Sequence, residues 1–198
     1  MKDSMFQTAV ILAGGHSSRM GFDKQLLEFN HKHLAVYLAE ELHKEFQEVL
    51  VVTNTPELYE GTFIRTCSDI YPGQGPISGM HSSFCHCQSD TIFVMACDMT
   101  QFSPAYAHYQ AKRMMEEQTE ACVTLRGEKL ENFHGFYHRC LLSAMEERLQ
   151  IRRTSIFRFL QSRHVTLISE EEMRPYADVK TLFRNLNTPQ DYQKFREL

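Results

Sequence analysis

The thirteen residues LAGGHSSRMGFDK at 12–24 carry three glycines, two serines, one arginine and one lysine. They follow a short apolar run, so flexible backbone and positive charge come directly off the end of a predicted strand. Glycines let backbone N–H groups approach an anion closely, and consecutive N–H groups form a nest for phosphate oxygens. Arg19 and Lys24 add full charges to that nest. The spacing is not G-x-G-x-x-G. It is not Walker A either, because Gly21 is followed by Phe22 and Asp23 rather than by Lys-Ser/Thr. On spacing alone, a phosphate-binding turn and an ordinary glycine-rich βα turn with solvated charges both stand.

Two other segments leave strands with unusual chemistry: SDIYPGQGPISGM at 68–80 and CDMTQFSP at 97–104. In open α/β sheets ligands bind beyond the carboxyl ends of the strands, so the three segments should converge on one crevice. An aspartate after a strand, such as Asp98, is by itself also a good turn or helix cap. His81 and Cys85 are four apart in HSSFCHC, at the spacing of a metal pair on a helix, but no second pair follows at zinc-finger spacing. Arg152 and Arg153, with Arg158 nearby, form either a solvated face or a contact for an anion or a partner. Met114 and Met115 read as packing.

The elements that must position these residues alternate. TAVILA (8–13), EVLVVT (48–53), TFIRTC (62–67) and TIFVMAC (91–97) read as buried strands. HLAVYLAEELHKEF (33–46) places Leu34, Leu38, Leu42 and Phe46 four apart, which is an amphipathic helix. A short helical turn is expected at PELYEG. SPAYAHYQAKRMMEEQ (103–118) opens with a serine N-cap and a proline at the first helical position. EACVTL (120–125), FHGFYH (133–138) and HVTLIS (164–169) are further strands, RCLLSAMEERLQ and SIFRFLQSR are helices, and Thr188-Pro189 starts a terminal one. Strands alternating with helices mean a three-layer α/β/α Rossmann-like fold with a mostly parallel sheet, here with one antiparallel excursion around 120–138. We read one domain over 1–198, without repeats or linkers.

Bulk properties narrow the function. Of the 198 residues 42% are hydrophobic and 23% charged, an ordinary globular composition. A net charge of −4 gives no electrostatic case for nucleic acid, so an anionic ligand needs a local site. No apolar run reaches the roughly 20 residues of a membrane helix. The N-terminal stretch lacks the cleavage pattern of a signal peptide. Six cysteines, several inside apolar segments, read as free thiols of a reduced, cytoplasmic protein.

In these motifs the chain resembles the molybdenum cofactor guanylyltransferases, the MobA family of nucleotidyltransferases. LAGGHSSRMGFDK resembles the family's L-A-G-G-x-S-x-R-M-G-x-D-K signature. DIYPGQGPISGM resembles its D-x-x-x-x-x-G-P-L-x-G segment, with Ile77 in place of leucine. ACDM resembles its metal-binding turn, with Thr100 where proline is usual, and NLNTPQDY resembles its terminal N-x-N-T-P motif. The resemblance implies GMP transfer from GTP to the terminal phosphate of molybdopterin, with Mg²⁺ as cofactor and pyrophosphate leaving. That nucleophile is already an anion, which agrees with the absence of Ser-His-Asp or paired-carboxylate logic. The work is positioning two anions and neutralising charge.

Carried over residue by residue, the resemblance makes Leu12, Ala13, Gly14 and Gly15 nucleotide-contacting backbone, and Arg19 and Lys24 the basic pair. Asp69 becomes a nucleotide-site carboxylate and Asp98 the Mg²⁺ ligand. Gly75, Pro76 and Gly79 belong to a 73–79 loop around the guanine, Asn54 is a nucleotide contact, and Asn185 and Asn187 lie on the substrate side. For Asn185 and Asn187, capping of the turn before Pro189 stays open as the alternative. Partners implied are GTP, molybdopterin, molybdenum-insertion proteins and apo-molybdoenzymes, with no nucleic acid and no membrane. Two alternatives remain: a related transferase using CTP or making an activated sugar, and a non-catalytic nucleotide-binding protein that delivers the cofactor.

Overall fold

The structure, a computed structural model, describes residues 4–14, 24–29 and 31–196. Nine strands are present among them: β1 Thr8–Leu12, β2 Glu28–Phe29, β3 Lys32–His33, β4 Glu48–Val52, β5 Arg65–Cys67, β6 Thr91–Ala96, β7 Ala121–Arg126, β8 Lys129–His138 and β9 Val165–Ser169. The helices are α1 Leu34–His43, α2 Pro76–His86, α3 Pro104–Glu117, α4 Leu142–Gln150, α5 Ile156–Leu160, α6 Glu170–Met173, α7 Val179–Leu182 and α8 Pro189–Arg196.

Seven strands form one sheet in the order β5-β4-β1-β6-β8-β7-β9, and β2 pairs with β3 in a separate hairpin. β5, β4, β1 and β6 are mutually parallel, as are β7 and β9. β8 lies between β6 and β7 and runs antiparallel to both, which is the expected excursion. All five residues of β1 are buried, as befits a central parallel strand covered on both faces. Its period-2 alternation splits the core. Ala9 and Ile11 join one cluster with Leu38 and Leu42 of α1 and Tyr106 and Ala111 of α3. Val10 and Leu12 join the other with Ile77, Met80 and Phe84 of α2 and Met145 and Phe159 from α4 and α5. Hence β1 is anchored from both sides, and its carboxyl end is a fixed rim.

The capping rules read from the sequence act where expected. Ser103 Oγ accepts from Tyr106 N at the start of α3, with Pro104 at the first helical position. β2, β3, α6 and α7 were not expected from the sequence, and among the expected segments three differ in extent or kind. The third long strand is shorter, Arg65–Cys67 rather than 62–67, because Thr62 is held in a turn by its bond to the Tyr59 carbonyl. β8 is longer, starting at Lys129, because Lys129–Glu131 pair with Thr124–Arg126 of β7 across the Gly127 turn. The stretch 76–79 is helix, not loop, because Pro76 is preset for a first helical turn and Ser78 N closes on Gly75 O at 3.1 Å. All six cysteines are free thiols, four of them buried. Among the described residues no helix is long and apolar enough to cross a membrane.

Candidate functional site

The carboxyl ends of β1, β4 and β6 are tied together one step past the strands. Cys97 N donates to Leu12 O at 3.1 Å, and Ala13 N donates to Val52 O at 2.9 Å. The Leu12 and Ala13 side chains are buried. With those backbone groups engaged in the sheet, the first exposed residue past β1 is Gly14. Gly15 and Arg19 lie outside the described residues.

Lys24, Asp98 and Asn187 come from three distant parts of the chain and meet at this rim. Lys24 Nζ donates to Asp98 Oδ2 at 2.5 Å and to Asn187 Oδ1 at 2.9 Å. The Lys24 and Asp98 side chains are 20% and 11% exposed, so their pairing is only partly screened by water. Asp98 is placed by the turn after β6, where Met99 N donates to Ala96 O at 3.2 Å. Asn187 is placed by a strap. Asn185 bridges Met99 in antiparallel fashion, Leu186 N donates to Asp98 O at 3.0 Å, and the Leu186 side chain is fully buried. Capping does not claim Asn187. Thr188 and Asp191 cap α8 reciprocally, through Thr188 N to Asp191 Oδ2 at 2.9 Å and Asp191 N to Thr188 Oγ1 at 3.1 Å. The Asn187 side chain is therefore available to Lys24.

Lys24 is fixed from behind by a residue that the sequence reading passed over. Gln25 is only 4% exposed, and its Oε1 accepts from Thr53 Oγ1 at 2.6 Å and from Tyr59 Oη at 3.2 Å. This pins the 3-10 turn Lys24–Leu26 to the end of β4. On the other side Tyr192 of α8 accepts from Glu28 N at 3.0 Å and donates to Glu28 O at 3.1 Å. The only signal for Gln25 was its place beside the lysine, and a glutamine there reads as a polar helix former. Tyr192 carried no signal at all.

Asp69 belongs to the same rim. A Cβ built on Gly14 would sit 3.7 Å from Asp69 Oδ2, so the carboxylate faces the start of the glycine-rich loop. Burial raises the Asp69 pKa, and hydrogen bonds from Ser78 and Ser82 oppose that rise. Asp69 is thereby tied to α2, whose N-cap is Gly75 at φ +74° with Pro76 following. Gly79 lies inside α2 rather than in a loop. A Cβ there would meet Leu12 Cδ2 at 2.8 Å, so this glycine brings α2 close against β1. Asn54 is exposed just past β4, while its neighbour Thr53 is turned inward to Gln25.

The remaining sequence candidates lie elsewhere. His81 Nε2 and Cys85 Sγ approach to 3.9 Å, and burial holds the imidazole below and the thiol above their ordinary pKa values. Among the described residues no third His, Cys, Asp or Glu joins them. Arg152, Arg153 and Arg158 are exposed around the turn between α4 and α5.

The MobA-like NTP transferase domain model matches residues 9–167. A probable molybdenum cofactor guanylyltransferase of Peptoclostridium acidaminophilum is 36% identical over 200 residues, covering 98% of this chain and 90% of that protein. A molybdenum cofactor guanylyltransferase of Syntrophotalea carbinolica is 39% identical over 191 residues, covering 96% and 91%. Among solved structures, molybdopterin-guanine dinucleotide biosynthesis protein A from Archaeoglobus fulgidus superposes with a TM-score of 0.84 at 22% identity, over 96% of this chain and 97% of that one.

Proposed function

Because the chain belongs to the MobA-like NTP transferase family, we propose that this nucleotidyltransferase moves GMP from GTP to the terminal phosphate of molybdenum-molybdopterin. Pyrophosphate leaves, and the product is the guanine dinucleotide form of the cofactor. The observation that carries this reading is the meeting of Lys24, Asp98 and Asn187 at the carboxyl ends of β1 and β6.

The donor set fits Mg²⁺. Two hard oxygens, Asp98 Oδ2 and Asn187 Oδ1, already converge on one positive centre, the Lys24 ammonium. Asp98 would hold the ion together with phosphate oxygens. When bound, it supplies charge neutralisation between those oxygens and eases departure of pyrophosphate. The chain does the rest. Gly14 N–H and the loop after it receive phosphate oxygens. Lys24 neutralises the triphosphate, and Gln25 sets the angle from which it reaches in. Asn187 holds the substrate side, with Asn185 fixing the strap. Asp69 and the 73–75 backbone face the nucleoside, and Gly79 lets α2 bring that backbone within reach. The arrangement stabilises charge and positions two anions, and the attacking phosphate needs no general base. We place the reaction in the cytoplasm, a setting in which six free thiols persist. Molybdenum-insertion proteins and apo-molybdoenzymes are the protein partners this chemistry would serve.

The test is formation of the guanine dinucleotide from molybdopterin, GTP and Mg²⁺, with pyrophosphate release followed for each NTP in turn. Release with CTP in preference to GTP would move the reading to a cytidylyl transferase. Nucleotide binding without turnover would move it to a carrier.

A further inference from the structure

We propose that Lys24 and the divalent cation are alternative occupants of the Asp98–Asn187 oxygen pair, and that a bound triphosphate opens the metal site by drawing Lys24 away. This rests on the metal assignment made above. The Lys24 ammonium contacts both oxygens at once, so it takes the position a cation would take. Two positive centres cannot share that pair without strong repulsion at such distances. The site is also partly buried, which limits screening by solvent.

The lysine can leave without disturbing the fold. Its backbone is held by Leu27 N, which donates to Lys24 O at 3.2 Å, and by the buried anchor of Gln25. Only the flexible four-carbon stem has to swing, and an ammonium on such a stem reorients readily. A triphosphate beyond Gly14 offers it new anionic partners on the same rim. Lys24 then serves first as a placeholder that keeps two oxygens preorganised, and afterwards as a phosphate ligand. By linkage, nucleotide raises metal affinity by the same factor that metal raises nucleotide affinity.

Mn²⁺ is the probe, with free ion counted by electron paramagnetic resonance on the full chain without nucleotide. The parent should bind Mn²⁺ weakly. Lys24→Met and Lys24→Gln should each bind it about tenfold tighter, within the usual range of coupling between sites. Adding Asp98→Asn to either variant should abolish the gain. Two Lys24 variants guard against a folding defect in one, and their melting temperatures are read alongside. Equal or weaker Mn²⁺ binding in both folded Lys24 variants would overturn the placeholder role. A separate arm tests the metal assignment itself: with α,β-methylene GTP present, the parent should hold more Mn²⁺ than the nucleotide alone accounts for, and Asp98→Asn should lose that protein-dependent increment. No change in that arm would remove the metal from Asp98, and the placeholder role with it.

Discussion

Two polar clusters hold the two ends of one short segment, residues 98–103, and they are built on opposite plans. At the far end Ser103 N donates to His134 Nε2 at 3.2 Å, His134 Nδ1 faces Gln110 Oε1 at 3.2 Å, and Gln110 Nε2 donates to His134 O at 2.8 Å. Both His134 and Gln110 are fully buried, and burial lowers the imidazole pKa to about 3. Every group there is satisfied by a neutral protein partner, so the cluster has nothing to exchange. At the near end a charged lysine and carboxylate pair at a rim that water reaches, with an asparagine as the third member. Closed and neutral gives a fixed strut, whereas open and charged gives a site whose contacts can be replaced by a ligand's.

The largest effect that sharpens this contrast is Asp98→Asn. A neutral amide keeps the shape and the turn but weakens the hold on a cation. Transfer should fall at least about a hundredfold with the melting temperature nearly unchanged, the scale of losing several kcal/mol of transition-state stabilisation. Parent-like pyrophosphate release at low Mg²⁺ would put Asp98 back among ordinary turn caps. His134→Leu should do the reverse. It strands Ser103 N–H and Gln110 Oε1, while the bond from Gln110 Nε2 to the residue-134 carbonyl survives, at about 1–3 kcal/mol per unsatisfied group, with an expected drop of about 2–4 °C per kcal/mol. The kcat of the folded fraction should stay near the parent's, and thermal melting with an activity assay reads both.

Acid separates the clusters again. The folded pKa of His134 lies below the ordinary histidine value of 6.5, so the unfolded chain binds the extra proton first. Its share of stability is complete above about pH 6.5 and is lost as pH falls toward 3, by about 2 kcal/mol between pH 7 and 5. Melting temperature against pH should therefore be steeper in the parent than in His134→Leu over that window. Parallel curves would show the imidazole is not held neutral.

Lys24→Ala should weaken GTP by about 1.5–3 kcal/mol, as for one charge-assisted contact, with little change in melting. An unchanged KM for GTP would detach the lysine from the triphosphate. The smallest effect is at α2. Gly75→Ala meets no neighbour and suffers only from its positive φ, at about 1 kcal/mol of stability. Gly79→Ala pushes on Leu12 instead and should lower GTP use more than it lowers stability. Equal effects on both readouts for the two glycines would mean that α2 does not set the nucleotide face.

Much of the scaffold was legible because burial writes itself as periodicity. Leu34, Leu38 and Leu42 gave α1, and the apolar run at 91–97 gave β6. The start of α2 was hidden because its first turn reads as a string of turn formers, so 73–79 was read as a loop. The hairpin of β2 and β3 was missed because two-residue strands are too short to show alternation. At the site, Lys24, Asp98 and Asn187 were recognisable from motifs, but nothing in their spacing said that they touch. Lys24 and Asn187 are 163 positions apart. Gln25, Thr53 and Tyr192 were illegible for the same reason, since each matters through a partner brought near only by the fold.

The strap at Asn185–Asn187 also sets a schedule. On the ribosome, β1 through β8 can emerge and pair before the strap leaves the exit tunnel, so a nascent chain can own most of a sheet without Asn187 beside Lys24. The last ligand of Lys24 arrives only after nearly all of the preceding sequence has left the exit tunnel. A partly synthesised chain, or one clipped before residue 185, would keep the sheet but leave Lys24 without its Asn187 contact.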